Sequence, residues 1–428
     1  MGNTDLVRAS RDGDYFHYLW AARKALLLLN PLSGLHVLTI EGPSKFEFKE
    51  EIEDGEEIVD VGEYYGSNKF SDAAKIIYSQ LKHTTVHEND SFQPSDLEKT
   101  LKGFAKRYQK FLTIEHKLDI LKKLEFHFIS NRAISKDFYK SICELQEIGK
   151  VTKPTNLEKL ELYTNLKGKD LEDFIKLVKF PSQEPNYIAQ REILAQDIAY
   201  YLPGDDVNAP NELKELIHRK ALSENKDTPE ITRYDVLRAL KTNPDDLLIL
   251  KNLIKQLENI VDRPIVRTLI DTINESHSQK FIIQAEGGVG KSILSTQIHN
   301  YIPSGSLSIV YDCFGNGDYR QSSSARHTHK IALVQIANEL AGLGLCHPLI
   351  PTTSAGPSEY IKAFLFRLKQ VSERFSNENK QLFIVIDAAD NSQMAADEFN
   401  YGRSFITDLL QETLPQNIKI IALARPYR

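Results

Sequence analysis

The chain has 428 residues, of which 41% are apolar and 26% charged, and its formal net charge is −6. This composition excludes a disordered protein, and the acidic balance excludes a global basic surface for nucleic acid. Three scattered cysteines, a polar N-terminus and the lack of a long apolar run predict a reduced, cytoplasmic chain with no membrane partner.

The first third of the chain is predicted to form an α/β core. Apolar residues at helical spacing over 14–29 indicate a helix, and a second helix opens near Pro94. The strand-like runs lie at 35–42, 56–65, 74–83 and 124–131. The order helix, three strands, helix, strand predicts an α/β core with a meander at its front.

Four polar residues lie on these strands. Glu41 closes the first strand, Asp60 lies in the second, and Gln80 and Lys82 share one face of the third. A metal-dependent phosphodiesterase needs acidic ligands and a lysine near the attacking water. The alternative is also open, since an acid followed by Gln-x-Lys arises by chance and Lys82 can extend from the strand end into solvent.

Charges near these strands leave further alternatives open. Asp12, Asp14 and His17 precede or enter the first helix, where capping and surface polarity explain them as well as ligand roles. A basic segment of the second helix contains Lys102, Lys106, Arg107 and Lys110. These side chains either contact the phosphates of a nucleic-acid backbone or are ordinary surface charges.

The pattern of charged and apolar residues changes along the rest of the chain. Residues 135–262 are helical and highly charged, which predicts the end of the first domain and a helical linker. From 263 onward, short and nearly continuous apolar runs alternate with helical segments. Strands of a parallel sheet buried on both faces have this pattern, so we predict a doubly wound α/β domain.

A glycine-rich turn carries the most specific chemistry. Strand 281–285 leads into a helix that begins near Lys291 and Ser292, and the turn between them contains Gly287, Gly288 and Gly290. The backbone of such a loop surrounds phosphate oxygens, the lysine reaches the β- and γ-phosphates, and the serine hydroxyl binds Mg²⁺. The strict pattern has a glycine where this chain has Ala285. We predict nucleotide binding.

Two later strands end in charged residues. Asp387 follows the apolar run 383–386 and is predicted to bind Mg²⁺ at the carboxyl edge of the sheet. Asp390 either polarises the attacking water or caps a helix. Arg425 ends the last strand, where it either senses the γ-phosphate or lies on the surface.

A basic and histidine-containing cluster precedes another helix. It consists of Arg326, His327 and His329. A zinc site needs more ligands at defined spacing, so structural or nucleotide-proximal roles are favoured over metal binding.

The motifs EGGVGKS, IVIDAAD and IIALARP resemble the nucleotide-binding module of the STAND family. Members of this family are signalling P-loop NTPases of NACHT and NB-ARC type. The resemblance covers about 260–428 and implies an ATP/ADP switch that assembles into a homo-oligomer when triggered. Asn391 replaces a second acidic residue found in many members, which disfavours fast hydrolysis. The chain stops directly after the Arg-Pro strand, so we expect the front portion of a larger protein whose sensor region is absent here.

The first domain resembles nucleases of the PD-(D/E)xK superfamily, and its segments around Glu41 and Lys82 resemble effectors fused to bacterial antiphage STAND proteins. The resemblance implies that Asp60 and Glu41 bind Mg²⁺, that Gln80 orients a water molecule, and that Lys82 stabilises developing negative charge. It implies double-stranded DNA as the substrate and a phage-derived trigger. The alternative is an ATP-binding signalling scaffold with an inactive nuclease-like domain.

These inferences combine into a three-part prediction for the chain. A restriction-endonuclease-like α/β effector domain is expected over 1–185 and a helical linker over 186–262. A doubly wound P-loop NTPase domain, incomplete at its C-terminal side, is expected over 263–428.

Overall fold

The computed structural model shows a mixed α/β protein whose chain forms two compact units. The first unit comprises Met1–Ile198 and Val207–Leu240, and the second comprises Ala199–Asp206 and Lys241–Arg428. The structure describes residues 3–48, 55–85, 88–181, 183–248, 250, 252–255, 263–376, 378 and 380–426. The predicted linker is divided between the units, and its residues 249, 251 and 256–262 lie outside the described part.

The first unit is built on a six-stranded mixed sheet in the order β5-β4-β3-β2-β1-β6. Strands β1, β2, β3 and β6 pair in antiparallel fashion, whereas β3, β4 and β5 are parallel. Their bounds are β1 Leu35–Ile40, β2 Val61–Tyr65, β3 Lys75–Lys82, β4 Leu124–Ser130, β5 Val178–Lys179 and β6 Glu230–Ile231. The predicted second strand therefore begins five residues late, because Glu56–Ile58 form a 3-10 turn.

Helices cover this sheet and complete the core of the first unit. The first one is longer than predicted and continues into a 3-10 turn at Leu26–Leu29. The α-helices are α1 Asn3–Ala25, α2 Glu98–Phe111, α3 Lys117–Lys123, α4 Lys136–Ile148, α5 Pro154–Thr164, α6 Gly168–Leu177, α7 Tyr187–Ala199, α8 Ala209–Lys220 and α9 Arg233–Ala239. Alternation along β3 places Tyr78 in the aromatic core with Phe104 and Phe126 of neighbouring elements.

The second unit contains a four-stranded parallel sheet in the order β7-β10-β9-β8. Its strands are β7 Lys280–Gln284, β8 Leu307–Asp312, β9 Leu382–Asp387 and β10 Ile418–Ala424. Its α-helices are α10 Pro264–Glu275, α11 Lys291–Gln297, α12 His329–Gly342, α13 Pro357–Ser376, α14 Ala389–Glu398 and α15 Phe405–Leu409. The remaining 3-10 turns of the described chain are Pro94–Leu97, Ser223–Asn225, Pro244–Asp246, Ile298–Asn300 and Gly315–Arg320.

Apolar residues cover both faces of the central strands, as the continuous apolar runs predict. In β9, Ile384 belongs to a core cluster shared with α12 and α13, whereas the next residue, Val385, belongs to one shared with α10. β7 differs from the prediction, since Ile282 is 60% exposed. It is an edge strand of the described sheet, so one of its faces is only partly covered.

None of the helices in the described part of the chain combines the length and the apolar character needed to traverse a bilayer.

Candidate functional site

The glycine-rich turn connects β7 to α11 through a backbone that requires glycine at two points. Gly288 and Gly290 adopt left-handed conformations with φ of 80° and 95°. Ala285, which replaces the consensus glycine, has no positive φ. Its backbone N–H continues the sheet by donating to the Ala424 carbonyl at 3.3 Å. A side chain at this position is therefore compatible with the loop.

Lys291 begins α11 and folds back over the loop. Its Nζ donates to the carbonyl oxygens of Ala285 at 2.5 Å and Glu286 at 2.8 Å. These bonds hold the ammonium group over the concave side of the turn. The predicted phosphate-binding lysine thus lies within the loop that it would serve.

Ser292 and Asp387 come together at the carboxyl edge of the parallel sheet. The Asp387 side chain is 2% exposed, and the Ser292 hydroxyl donates to its carboxylate. Burial raises the pKa of Asp387, and the nearby Asp312 carboxylate raises it further. Ser292 and Asp387 offer the hydroxyl and carboxylate oxygens that Mg²⁺ prefers, so this pair fits a magnesium ion.

Asp312 is a buried carboxylate that the sequence analysis did not select. It ends β8 and pairs in register with Asp387 of β9. Its oxygens accept the backbone N–H groups of Phe314, Gly315 and Leu253, at 2.9, 2.9 and 3.1 Å. Its position after an apolar strand, like that of Asp387, was the available signal. These bonds hold the Asp312 carboxylate against the backbone of the segments that contain Phe314, Gly315 and Leu253.

Arg425 and Asp390 form an ion pair beside this edge. Arg425 Nε donates to Asp390 Oδ2 at 2.9 Å, and its Nη2 donates to Asn391 Oδ1 at 2.5 Å. The alternative that Asp390 caps a helix is wrong, because the N-cap of α14 is Ala388. Ala388 has a φ of 53°, so the chain turns sharply after Asp387 and directs Asp390 toward Arg425.

A cavity of about 440 Å³ opens beside the glycine-rich turn, between α10 and α11. Its wall is mainly aliphatic and aromatic, with Val266, Leu269, Ile283, Leu294 and Tyr301 among the lining residues. Arg263 and Lys291 supply positive charge at its margin. Arg263 Nη1 donates to the Val289 carbonyl at 2.8 Å, which anchors the tip of the loop. The lining can accept an apolar group next to an anionic one.

The cluster of Arg326, His327 and His329 is embedded in protein contacts. Arg326 Nη1 donates to the Asp312 carbonyl at 2.8 Å. The His327 ring stacks on Phe399, and His329 Nε2 lies 3.0 Å from Asp408 Oδ2. These contacts fit a structural role, whereas among the residues that the structure describes no His, Cys, Asp or Glu side chains gather around the cluster as a set of metal ligands.

In the first unit, three strand ends meet where Glu41, Asp60 and Lys82 lie. The Glu41 N–H donates to the Asp60 carbonyl at 2.9 Å, and the Asp60 N–H donates to the Ser79 carbonyl at 3.0 Å. Asp60 Oδ2 accepts the Leu81 N–H at 2.6 Å. We call Glu41, Asp60, Gln80 and Lys82 the edge site.

Electrostatics couple the carboxylates of the edge site. Desolvation and the charges of Asp60 and Asp14 raise the pKa of Glu41 to about 7, although part of its side chain is exposed. Burial raises the pKa of Asp60, and the positive charge of Lys82 opposes that shift. A cation would relieve this repulsion, so the pair of carboxylates fits a divalent metal.

Gln80 of the edge site is hydrogen-bonded to helix α2. Its side chain is 3% exposed, and its Oε1 accepts a hydrogen bond from the Thr100 hydroxyl of α2. In the described chain, no three His, Cys, Asp or Glu side chains form a group arranged to hold a metal ion. The edge site therefore brings together two acids and a lysine, with the amide bonded to the helix behind them.

Helix α1 adds Asp14 and His17, for which the sequence left ligand roles open beside capping and surface polarity. His17 is hydrogen-bonded to the backbone of Leu81, and burial lowers its pKa despite the opposing charges of Asp60 and Asp14. Asp14 and His17 are three residues apart and share one helix face. That spacing was the signal available in the sequence.

One predicted phosphate contact is wrong. Arg107 is 1% exposed and forms a buried ion pair with Glu47, in which Nη2 and Oε2 lie 2.6 Å apart. The alternative of surface charge is also wrong for this residue. Lys102 and Lys106, on the same helix, are exposed.

Comparisons with known proteins cover both halves of the chain. The family model described as "Nephrocystin 3, N-terminal" matches residues 255–425, which include the glycine-rich turn, Asp387 and Arg425. No curated protein matches the chain as a relative.

Among solved structures, the chain is similar to a Cap4 SAVED/CARF-domain containing receptor from Moraxella osloensis. The identity is 12% and the TM-score 0.31, over 88% of this chain and 64% of that one. It is also similar to the Acinetobacter baumannii Cap4 receptor with the cyclic trinucleotide 3'3'3'-cAAA, at 12% identity and a TM-score of 0.30, over 86% and 60% of the two chains. The chain thus spans less than two thirds of these two proteins.

Proposed function

We propose that this chain belongs to a STAND-type defence protein. An ATP/ADP switch in the second unit controls a Mg²⁺-dependent nuclease effector in the first, which cleaves double-stranded DNA after nucleotide-driven homo-oligomerisation. A phage-derived trigger activates the switch. The observation that carries the proposal is the Ser292–Asp387 hydrogen bond beside a glycine-rich turn, at the carboxyl edge of a parallel sheet.

Different residues of the nucleotide site bind the phosphates, the base and Mg²⁺. The loop N–H groups and Lys291 bind the phosphates, and Lys291 exchanges its bonds to Ala285 and Glu286 for phosphate oxygens. The apolar cavity accommodates the base. Ser292 and Asp387 would hold Mg²⁺, which neutralises phosphate charge when bound. Arg425, fixed by Asp390, faces the nucleotide edge as a sensor of the γ-phosphate.

The edge site supplies the chemistry of the effector. Glu41 and Asp60 would hold Mg²⁺, which activates water and balances the charge of a scissile phosphate when bound. Lys82 stabilises the negative charge that develops on the phosphate. Gln80 orients the attacking water after its amide exchanges the Thr100 hydroxyl for that water.

The switch is tested by nucleotide binding. We expect Lys291→Ala to weaken MgATP binding at least tenfold in isothermal titration calorimetry, because the loop loses its only lysine. Lys362→Ala, an exposed lysine on α13, is the matched control and should bind like the parent chain. Equal affinities for Lys291→Ala and the parent would refute the nucleotide site.

The effector is tested separately by cleavage of duplex DNA. The protein with trigger, Mg²⁺ and ATP should degrade DNA, and Lys82→Ala should abolish cleavage while preserving ATP binding. Lys122→Ala, an exposed lysine on α3, is the control. Undiminished cleavage by Lys82→Ala would show that the edge site is misassigned.

A second candidate is an ATP-binding signalling scaffold whose nuclease-like domain recruits a partner without cleaving. The bond between Gln80 and Thr100 favours it, since this amide is already occupied and is a poorer metal ligand than a carboxylate. Titration with Mn²⁺ separates the two candidates. A nuclease site should bind Mn²⁺ and lose affinity in Asp60→Ala, whereas a scaffold should show no site that depends on Asp60.

A further inference from the structure

A second polar cavity lies in the first unit, apart from the edge site. Its volume is about 370 Å³, and it opens where the segments leading into α2, α4 and α5 meet. We call it the lysine cavity, after Lys136, Lys153 and Lys159, which line it.

The charge of the lysine cavity favours an anion. Among the residues that line it, Asp137 is the only acid and opposes three lysines. Lys153 Nζ lies 3.0 Å from Asp137 Oδ2, so this pair balances internally. Lys136 and Lys159 then leave a net charge of about +2 at the cavity.

Hydrogen bonds fix the segments that converge at the lysine cavity. The Phe92 N–H donates to the Ala133 carbonyl at 2.8 Å, and the Ser135 N–H donates to the Phe92 carbonyl at 3.0 Å. Asn156 is buried, and its Nδ2 donates to Ser141 Oγ at 2.9 Å. These bonds form the cavity before any ligand arrives, which lowers the entropic cost of binding.

Some of the residues that line the lysine cavity follow β3 and β4 in the chain, and Lys82 lies at the carboxyl end of β3. β3 and β4 are parallel and end together, with Lys82 opposite Ser130. The segments that leave these two strands stay side by side, because Asn131 Nδ2 donates to the Thr84 carbonyl at 2.8 Å. Gln93, which comes after β3 in the chain, and Ser135, which comes after β4, both line the cavity. Ligands of such sheets bind beyond the carboxyl ends of the parallel strands.

We propose that the lysine cavity binds a phosphate of the nucleic-acid strand that extends beyond the edge site. This inference rests on the proposed nuclease function of the edge site. Lys136 and Lys159 contact the phosphate oxygens, while Asn156 and the Lys153–Asp137 pair keep the cavity open. The bound phosphate aligns the strand along the carboxyl edge of the sheet, so that another phosphate reaches Lys82.

The test measures how tightly a fluorescently labelled DNA duplex binds the intact chain. EDTA is present, and binding is monitored by fluorescence anisotropy at several salt concentrations. We expect the double variant Lys136→Glu with Lys159→Glu to weaken binding at least tenfold. The slope of log affinity against log salt should decrease by about 1–2, since each lost phosphate contact removes about 0.9.

The matched control is Lys122→Glu with Lys99→Glu, two exposed lysines that do not line the cavity and carry the same change in net charge. This control should bind the duplex within about threefold of the parent chain. The fluorescence of Trp20, the only tryptophan, checks that each variant folds.

Three outcomes would overturn the proposal. The first is a cavity variant that binds DNA like the control, and the second is a parent chain that binds no DNA. The third is inorganic phosphate that binds the parent chain but not the cavity variant and does not displace the duplex, which would assign the cavity to free phosphate. Binding of DNA through the cavity, together with no cleavage in the presence of trigger, Mg²⁺ and ATP, would refute only the nuclease function.

Discussion

The Arg425 guanidinium is bonded to the Asp390 carboxylate, with Nε and Oδ2 2.9 Å apart. The two residues are 35 positions apart in the chain and meet because β10 lies between β7 and β9. The Asp390 side chain is almost fully buried, whereas that of Arg425 is 29% exposed. The end of β10 is thus attached to the first turn of α14, directly after Asp387.

A double-mutant cycle measures this attachment. We expect Asp390→Ala and Arg425→Ala each to lower the local free energy of unfolding by about 1–3 kcal/mol, since each leaves a partly buried charge without its partner. The double variant should lose less than the sum of the two, with a coupling of about 1 kcal/mol.

Hydrogen exchange of the β10 amides is the suitable measurement, because the single tryptophan is outside the second unit. Lys369→Ala, which removes an exposed pair with Glu373, is the control and should change stability by less than about 0.5 kcal/mol. Strictly additive effects of Asp390→Ala and Arg425→Ala would show that the pair is not coupled.

The buried pair of Arg107 and Glu47 predicts a large loss of stability. Arg107→Ala should lower the free energy of unfolding of the first unit by about 3–5 kcal/mol, because Glu47 would remain buried without its cation. Urea unfolding followed by Trp20 fluorescence measures the loss.

Two variants make this prediction specific. Replacing both partners, with Arg107→Met and Glu47→Leu, should cost less than Arg107→Ala alone, since no unpaired charge remains. Lys106→Ala, on the exposed face of α2, should change stability by less than about 0.5 kcal/mol. A loss below 1 kcal/mol for Arg107→Ala would contradict the buried pair.

Glu125 should make the stability of the first unit depend on pH. A hydrogen bond from His127 and the charge of Lys75 lower the pKa of Glu125 to about 2. The unfolded chain therefore binds this proton more readily than the folded chain. The stabilisation from Glu125 is complete above about pH 4.5 and is lost as the pH falls toward 2.

Comparison with Glu125→Gln isolates this contribution. The parent chain should be more stable than Glu125→Gln by about 1–2 kcal/mol at pH 6. This value is smaller than the pKa shift alone would give, because Glu125 and Lys75 are partly exposed and solvent screens their interaction. The difference should shrink steadily between pH 5 and pH 3, measured by urea unfolding and Trp20 fluorescence. A difference that is constant over this range would rule out Glu125 as its source.

Gln80→Glu tests whether the edge site lacks a third carboxylate. Glutamate keeps an acceptor for the Thr100 hydroxyl and adds negative charge beside Asp60. We expect Mn²⁺ to bind about tenfold more tightly, because carboxylate oxygens bind hard cations better than an amide oxygen does. Gln109→Glu on α2 is the control for charge alone. Unchanged Mn²⁺ affinity in Gln80→Glu would show that this position does not reach the metal.

The sequence by itself determined the local elements of both candidate sites. The continuous apolar runs predicted β8, β9 and β10, and the glycine pattern predicted a turn between β7 and α11. These features are encoded within a few residues, because backbone periodicity and glycine conformation are local properties. For the same reason, Asp387 and Lys82 were predicted at the ends of strands, where they lie.

Only the tertiary structure decided which of these residues meet. The insertion of β10 between β7 and β9 brings Arg425 to Asp390, and the course of α1 brings His17 to Asp60. The burial of Arg107 also depends on a partner 60 residues away. No local pattern encodes such pairs, because the free energy that fixes them comes from packing and charge pairing between segments distant in the chain.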